Sequence, residues 1–330
     1  MKAFLYHKYG SADVLQMEEV EKPALRDNEV LVKVHAASVN AADWHALSAD
    51  IFLVRLMGGG LLRPKDPRLG IDIAGQVEAV GSSVTQFQLG DEVYGAADGS
   101  FAEYATARED RLVLKPAAMT FEEAAAIPVA ALTALQGLRD SGHIQPGQKV
   151  LIYGASGGVG TFAMQIAKSF GAEVTAVCSP KNLDQARSIG ADHLIDYTQE
   201  DFTRKGQRYD LILAVNGYHP ILAYRRALNP TGVYVLVGAS GAHLFRALLQ
   251  AMFLGPLISK TGGQKMGFMQ VAKINQKDLV ILNELFEAKK VVPVIDRCYP
   301  FHETAQALRY LGEGHARGKV VITVEQNNQT

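Results

Sequence analysis

The segment Gly154-Ala155-Ser156-Gly157-Gly158-Val159-Gly160 is the part of this chain whose residue types and spacing most directly imply chemistry. It follows the apolar run Lys149-Val150-Leu151-Ile152-Tyr153 and precedes TFAMQIAKSFG at helical spacing, so it reads as the turn of a strand–turn–helix unit. Ala155 takes the first variable place of an A-x-G-x-x-G pattern. Gly157 lets the backbone approach a pyrophosphate, and Gly160 lets the helix pack closely on the strand. The start of that helix offers unpaired N–H groups and a partial positive charge to phosphate oxygens. A tight turn could use the same glycines for chain geometry alone, but the strand–turn–helix setting favours a bound dinucleotide, with residues 155–160 (Ala155, Ser156, Gly157, Gly158, Val159, Gly160) as its cradle.

The next strand ends in Val177-Cys178-Ser179-Pro180-Lys181-Asn182. A carboxylate at this place would bond the 2′-hydroxyl of NAD and repel a 2′-phosphate. None is present. Ser179 can donate a hydrogen bond and Lys181 supplies a charge, a pairing that suits a phosphate and gives NADPH as the expected cofactor. Tyr197, in LIDY after the following strand, either covers the adenosine side or is an aromatic at the surface edge. Nearer the N-terminus, Asn40, Asp43, Trp44 and His45 stand together in a loop or first helical turn. Asp43 reads as a cap for backbone N–H groups. Trp44, the sole tryptophan, either walls a cleft or fills the core, and His45 is more readily structural than a proton donor.

These residues need elements to position them. The first third is rich in short β-type runs punctuated by glycine (NEVLVKVHAASVN, DIAGQVEAVGSSV, GDEVYGAA), which predicts a compact, mostly antiparallel β domain. FEEAAAIPVAALTALQGLRDSG reads as a helical connection capped by Thr120 with Glu123 three residues on. From there apolar strands alternate with helices, which implies a doubly wound parallel sheet. DLVILNELFEAKK reads as an amphipathic helix, GKVVITV as a closing strand, and EQNNQT as a frayed end.

The bulk composition fits this reading. A chain of 330 residues favours two domains. A net charge of −1 gives no electrostatic case for nucleic acid or an anionic membrane, so small molecules are the expected partners. No apolar run reaches the roughly 20 residues of a membrane span, and MKAFLYHKYG lacks a signal-like core, so the expectation is a cytoplasmic protein. Cys178 and Cys298 cannot build a disulfide framework or a four-cysteine zinc site, and both are expected to be small buried apolar groups.

Over nearly its whole length the chain also resembles a known family. MKAFLYHKYG, EVLVKVHAASVNAADW, GIDIAGQVEAVG, GDEVYG, AAIPVAALTAL, GASGGVG, GADHLIDY and GKVVITV are similar to successive signatures of quinone oxidoreductases and related zinc-free members of the medium-chain dehydrogenase/reductase superfamily. The resemblance implies an α/β fold with a GroES-like β-rich catalytic domain (1–126) and a Rossmann doubly wound parallel-sheet domain (127–262). A C-terminal segment (263–330) would return to the catalytic domain. It implies that Asn40 faces the nicotinamide end of the cleft and that Thr133 contacts the nicotinamide, and it adds Val237, Gly238 and Lys319 to the cofactor set.

Zinc-dependent relatives place a cysteine where Asn40 stands and a G-H-E motif where Gly70-Ile71-Asp72 stands, so no metal is expected. Without a Lewis acid, hydride delivery to a quinone or α,β-unsaturated carbonyl is favoured over alcohol oxidation. A broader carbonyl or alcohol dehydrogenase, and an NADPH-binding interaction or redox-sensing protein of low turnover, are the alternatives. A homodimer is expected through GVYVLVGAS as an apolar edge strand. HLFRALLQAMFLGPLIS and KTGGQKMGFM are expected to wall the acceptor pocket or to serve dimer or core packing.

Overall fold

The computed structural model describes residues 1–49, 60–239 and 243–324. EQNNQT, expected to fray, and Ser240 of GVYVLVGAS lie outside the described residues. The chain divides into two compact units, residues 1–130, 274–284 and 293–330 and residues 131–273 and 285–292.

In the first unit, β1 (Lys2–Tyr6) and β2 (Leu15–Glu19) form an antiparallel hairpin. β3 (Glu29–Val39) is nearly continuously buried, as a strand covered on both faces must be, and it runs directly into α1 (Ala41–Ser48). β4 (Asp72–Val80), β5 (Glu92–Ala96), β6 (Tyr104–Arg108) and β7 (Leu112–Leu114) pair antiparallel around it. The expected cap is present at α2 (Phe121–Ala125): Thr120 Oγ1 accepts from the Glu123 N–H at 3.1 Å, and Glu123 Oε2 accepts from the Thr120 N–H at 2.9 Å. The helix stops before Pro128, which disfavours helical geometry at the preceding residue and then opens α3 (Pro128–Gln136) at its first position.

The second unit holds β8 (Lys149–Tyr153), α4 (Gly158–Ser169), β9 (Glu173–Cys178), β10 (His193–Asp196), β11 (Tyr209–Ala214), β12 (Leu228–Leu236) and β13 (Lys265–Phe268). The strands form one six-stranded, all-parallel sheet in the order β10-β9-β8-β11-β12-β13. The chain winds outward from β8 through β9 to β10, then crosses back to place β11 on the other side of β8. This reversal makes the carboxyl ends of β8 and β11 the place where a doubly wound sheet opens a crevice. Val150, Leu151, Ile152, Ile212 and Leu213 are fully buried at its centre.

One expectation is corrected here. GVYVLVG is not an edge strand, because the KMGF segment pairs beyond it: Val233, Tyr234, Val235 and Leu236 are in register with Lys265, Met266, Gly267 and Phe268. The sequence pattern missed this because β13 is only four residues long and carries a glycine.

After the amphipathic helix α5 (Gln276–Glu287), the chain returns to the first sheet through β14 (Ile295–Pro300), α6 (Thr304–Gly312) and β15 (Lys319–Thr323). β15 lies between β14 and β3, antiparallel to β3, so the last strand is paired on both sides within the seven-stranded sheet. Trp44, partly buried, packs against the core cluster of this unit that includes Phe4, Leu47 and Leu308. A Cβ on Gly312 would come within 2.6 Å of its ring. Cys178 is buried as expected, but Cys298 on β14 is exposed, a correction that follows from the half-exposed pattern of that edge strand.

Two glycines of the 154–160 turn do different jobs, and this is testable. A Cβ on Gly160 would lie 2.2 Å from the Gly154 carbonyl oxygen and 2.7 Å from the Ala155 carbonyl, both backbone atoms that cannot step aside. On Gly157 its nearest neighbour would be 3.8 Å away. Gly160→Ala is expected to lower the urea midpoint by the equivalent of about 1–3 kcal/mol through overpacking. Gly157→Ala should stay within about 1 kcal/mol of the parent, the range of a helix N-cap change. The reverse ranking would place the close approach at the wrong glycine.

Candidate functional site

In the first unit, strand register assembles a buried polar cluster. Ser38 pairs with Asp72 across β3 and β4, and Val320 pairs with Val39 across β15 and β3, so Lys319 and Asn40 meet at the ends of their strands. Asp72 Oδ2 accepts from Ser38 Oγ at 2.6 Å and from Asn40 Nδ2 at 2.9 Å, while Oδ1 accepts from the Val129 N–H at 2.9 Å in the first turn of α3. A carboxylate there is favoured by the partial positive charge of the helix start. The Lys319 ammonium donates to Asn40 Oδ1 at 2.5 Å and to Asp72 Oδ2 and the Val39 carbonyl, both at 3.3 Å. Asp72, Lys319 and Asn40 are 0%, 3% and 6% exposed. An ion pair taken this far from water is held by its hydrogen bonds, and removing one partner of such a pair typically costs about 3–5 kcal/mol.

Asp43 completes the cluster as the cap the sequence suggests: its Oδ2 accepts from the Asn40 N–H at 2.8 Å. Burial pushes its carboxyl up to about 7, and the Asp72 charge pushes the same way; the Asn40 hydrogen bonds and the Lys319 charge only partly oppose this.

In the second unit, the glycine turn sits at the carboxyl end of β8. Gly154 has φ +85°, and a Cβ there would meet the Asn216 backbone nitrogen at 2.7 Å, so only glycine fits. The Gly154 and Ala155 N–H groups donate to the Val177 carbonyl at the end of β9. Ala155 is fully buried, and Gly157 caps α4, whose first N–H groups, at Gly158, Val159 and Gly160, have no intrahelical acceptor. Ser179 follows β9 and opens the short 3₁₀ turn Pro180–Asn182, with Lys181 exposed on it. Tyr197, 53% exposed, is tied by its N–H to the Cys178 carbonyl. Val237 and Gly238 donate their N–H groups to the Ala214 carbonyl, which brings them to the end of β11. Thr133 lies half-buried in the middle of α3.

The structure thus gathers residues 154–160, Ser179, Lys181, Tyr197, Val237 and Gly238 at the carboxyl ends of one parallel sheet. Asn40 belongs to the other unit, as does Lys319. Lys319, expected in the cofactor set, has its three ammonium protons met by three protein oxygens of the first unit. Sequence reasoning missed Ser38 and treated Asp72 only as an absent glutamate. The available signal for Asp72 was a carboxylate at the head of the short apolar run Ile73-Ala74-Gly75, which forms the buried half of its strand. Among the described residues, no group of three or more His, Cys, Asp or Glu could hold a metal ion, and no helix is long and apolar enough to cross a membrane.

Comparison with known proteins agrees with this architecture. Residues 26–117 match the alcohol dehydrogenase GroES-like domain, and residues 189–322 match a family described as zinc-binding dehydrogenase. The chain is 37% identical to a 2-methylene-furan-3-one reductase of Solanum lycopersicum, over 98% of this chain and 79% of that protein. It is 33% identical to a chloroplastic NADPH-dependent alkenal/one oxidoreductase of Arabidopsis thaliana, with the same coverages. The solved quinone oxidoreductase of Coxiella burnetii superposes with a TM-score of 0.86 at 30% identity, covering 98% of this chain and 99% of that one. A GroES-like domain joined to a Rossmann sheet defines a medium-chain dehydrogenase/reductase. Within that superfamily the chain belongs to the quinone oxidoreductase-like family of NAD(P)H-dependent oxidoreductases.

The Asp43 carboxyl gives a pH signature. The unfolded chain releases this proton near pH 4 and the folded chain near pH 7. Between those values the native state holds a proton the unfolded state has lost, so the contribution of Asp43 to stability is greatest below about pH 4 and falls as pH rises to 7. Urea denaturation of the parent and of Asp43→Asn at pH 5, 6, 7 and 8 is expected to show the parent losing more stability with rising pH, by about 2–3 kcal/mol over this range. Parallel curves would contradict a neutral Asp43.

Proposed function

We propose that this protein is an NADPH-dependent reductase of quinones or α,β-unsaturated carbonyls that works without zinc. The observation that carries the cofactor part is the end of β9: no carboxylate stands there, and Ser179 and the exposed Lys181 follow the strand where a doubly wound sheet receives the 2′ position of the adenosine ribose. The open space beside Gly157 and the free N–H groups at the start of α4 fit that pyrophosphate. The relative named as NADPH-dependent supports the same choice.

When bound, the reduced nicotinamide supplies a hydride to an electron-poor carbon of the acceptor. The acceptor's carbonyl oxygen gains negative charge as this happens, and aligned donors stabilise it. In this reading Thr133 positions the nicotinamide. Asn40 offers the acceptor the Nδ2 proton that Asp72 does not use, its orientation fixed by Lys319 and Asp72. Two features support zinc independence. Asn40 and Ile71 offer neither thiolate nor imidazole, and the Lys319 ammonium already fills the cationic role beside Asp72. The relatives named for 2-methylene-furan-3-one, alkenal/one and quinone substrates support the acceptor class.

The expected result is NADPH consumption with a quinone or an enone, unchanged after prolonged dialysis against a strong chelator. Lys181→Ala should weaken NADPH by about 1.5–3 kcal/mol, the loss of a charge-assisted contact, and leave NADH nearly unaffected. Consumption only with an aldehyde, restored by zinc after chelation, would reject the reading in favour of a metal-dependent dehydrogenase. No consumption with any acceptor would leave a binding protein.

The same reading includes a homodimer, now through β13. Among the described residues this short strand is one edge of the parallel sheet, and Phe268 on it and Phe253 and Leu257 near it are 42%, 62% and 61% exposed. An unpaired strand edge flanked by large apolar side chains invites a second copy. Sedimentation at micromolar concentration is expected to give twice the monomer mass, and Phe268→Lys should shift the protein toward monomer. A parent that sediments only as monomer would end this part of the reading.

A further inference from the structure

Asn182 has no part in the function described so far, yet its surroundings are unusual. It is 5% exposed, its two Nδ2 protons go to Ser156 Oγ at 2.9 Å and Ser179 Oγ at 3.0 Å, and its N–H donates to the Ser179 carbonyl at 2.9 Å. Its Oδ1 is buried without a partner. One side chain therefore links the glycine turn to the end of β9. A buried carbonyl oxygen left unpaired costs free energy unless a ligand or water supplies a donor.

We propose that Asn182 is a positioning residue for a nucleotide phosphorylated at both its 5′ and 2′ positions, acting by turning the protons of Ser156 and Ser179 outward as donors to the two phosphates. The proposal rests on the NADPH reading above and deepens it. A hydroxyl has one proton to give. By accepting from Asn182, each serine keeps that proton, and among the described residues neither gives it to a protein acceptor. One such donor stands in the glycine turn and the other beside Lys181, at the two places where the reading puts phosphate.

The opposite amide orientation would draw both serine protons onto Oδ1 and bury two unpaired N–H donors in place of one carbonyl, the costlier arrangement. An aspartate at this place would impose that reversal and add negative charge.

The test is calorimetric titration of the full chain with NADPH, NADH and adenosine 2′,5′-bisphosphate, which carries both phosphates and no hydride. The expected result is binding of the bisphosphate by the parent, weakened about tenfold in Asn182→Ala and further in Asn182→Asp. Ser179→Ala should cost clearly less in the Asn182→Ala background than in the parent, because the two act as one unit. In steady state, Asn182→Ala should raise the KM for NADPH by more than it lowers kcat. A purely structural role would lower the melting temperature and leave the two substitutions additive.

Parental affinity for the bisphosphate in Asn182→Asp, or additivity in the double variant, would overturn the proposal and leave the NADPH reading standing. A parent that binds neither NADPH nor the bisphosphate would overturn both. Should the Asn182 variants not fold, Ser156→Ala and Ser179→Ala, at partly exposed positions, are each expected to weaken the bisphosphate, and unchanged affinity in both would refute it.

Discussion

The buried contact of Lys319 with Asp72 and Asn40 is the constraint on which the first unit depends. A carboxylate and an ammonium that are 0% and 3% exposed cannot both remain charged without each other. The cluster can therefore close only when the last strand, β15, has taken its place beside β3, 247 residues after Asp72. The whole parallel-sheet unit is inserted between these two partners. Closing so long a loop is tolerable because the entropic cost grows only logarithmically with its length. The consequence for chemistry is rigidity. Asn40 is held by its backbone N–H, its Nδ2 and its Oδ1 at once, through Asp43, Asp72 and Lys319. A side chain so fixed cannot swing, and this is the pre-organisation that the role proposed for Asn40 requires.

The second unit handles charge differently. Its candidate ligand groups are backbone N–H groups at the start of α4, two serine hydroxyls linked by Asn182, and one exposed lysine. These are partial charges arranged by the parallel sheet rather than a buried ion pair. The arrangement follows from winding. Because β9 and β11 both neighbour β8, the turns that leave their carboxyl ends converge on one crevice, with glycine at 154 where the Asn216 backbone comes too close for a side chain. The match to a family described as zinc-binding dehydrogenase covers residues of both units. In the proposed reading, the residues at Asn40, Ile71 and Asp72 set what chemistry this scaffold carries.

What the sequence determined by itself was whatever depends on near neighbours in the chain. The cap at Thr120 and Glu123, the break before Pro128, the distinct duties of Gly157 and Gly160 and the alternation of strand and helix that forces a parallel sheet are all set within a few residues, by backbone sterics and hydrophobic period. Asp43 as a cap was legible for the same reason. What only the tertiary structure decided was which distant groups meet. The register of β15 against β3 brought Lys319 to Asn40 and Asp72, and a four-residue strand took the sheet edge from GVYVLVG. The fold also left Asn182 spanning Ser156 and Ser179, 26 and three residues away. Such pairings depend on register and on the desolvation that burial imposes, and neither quantity exists until the chain has folded.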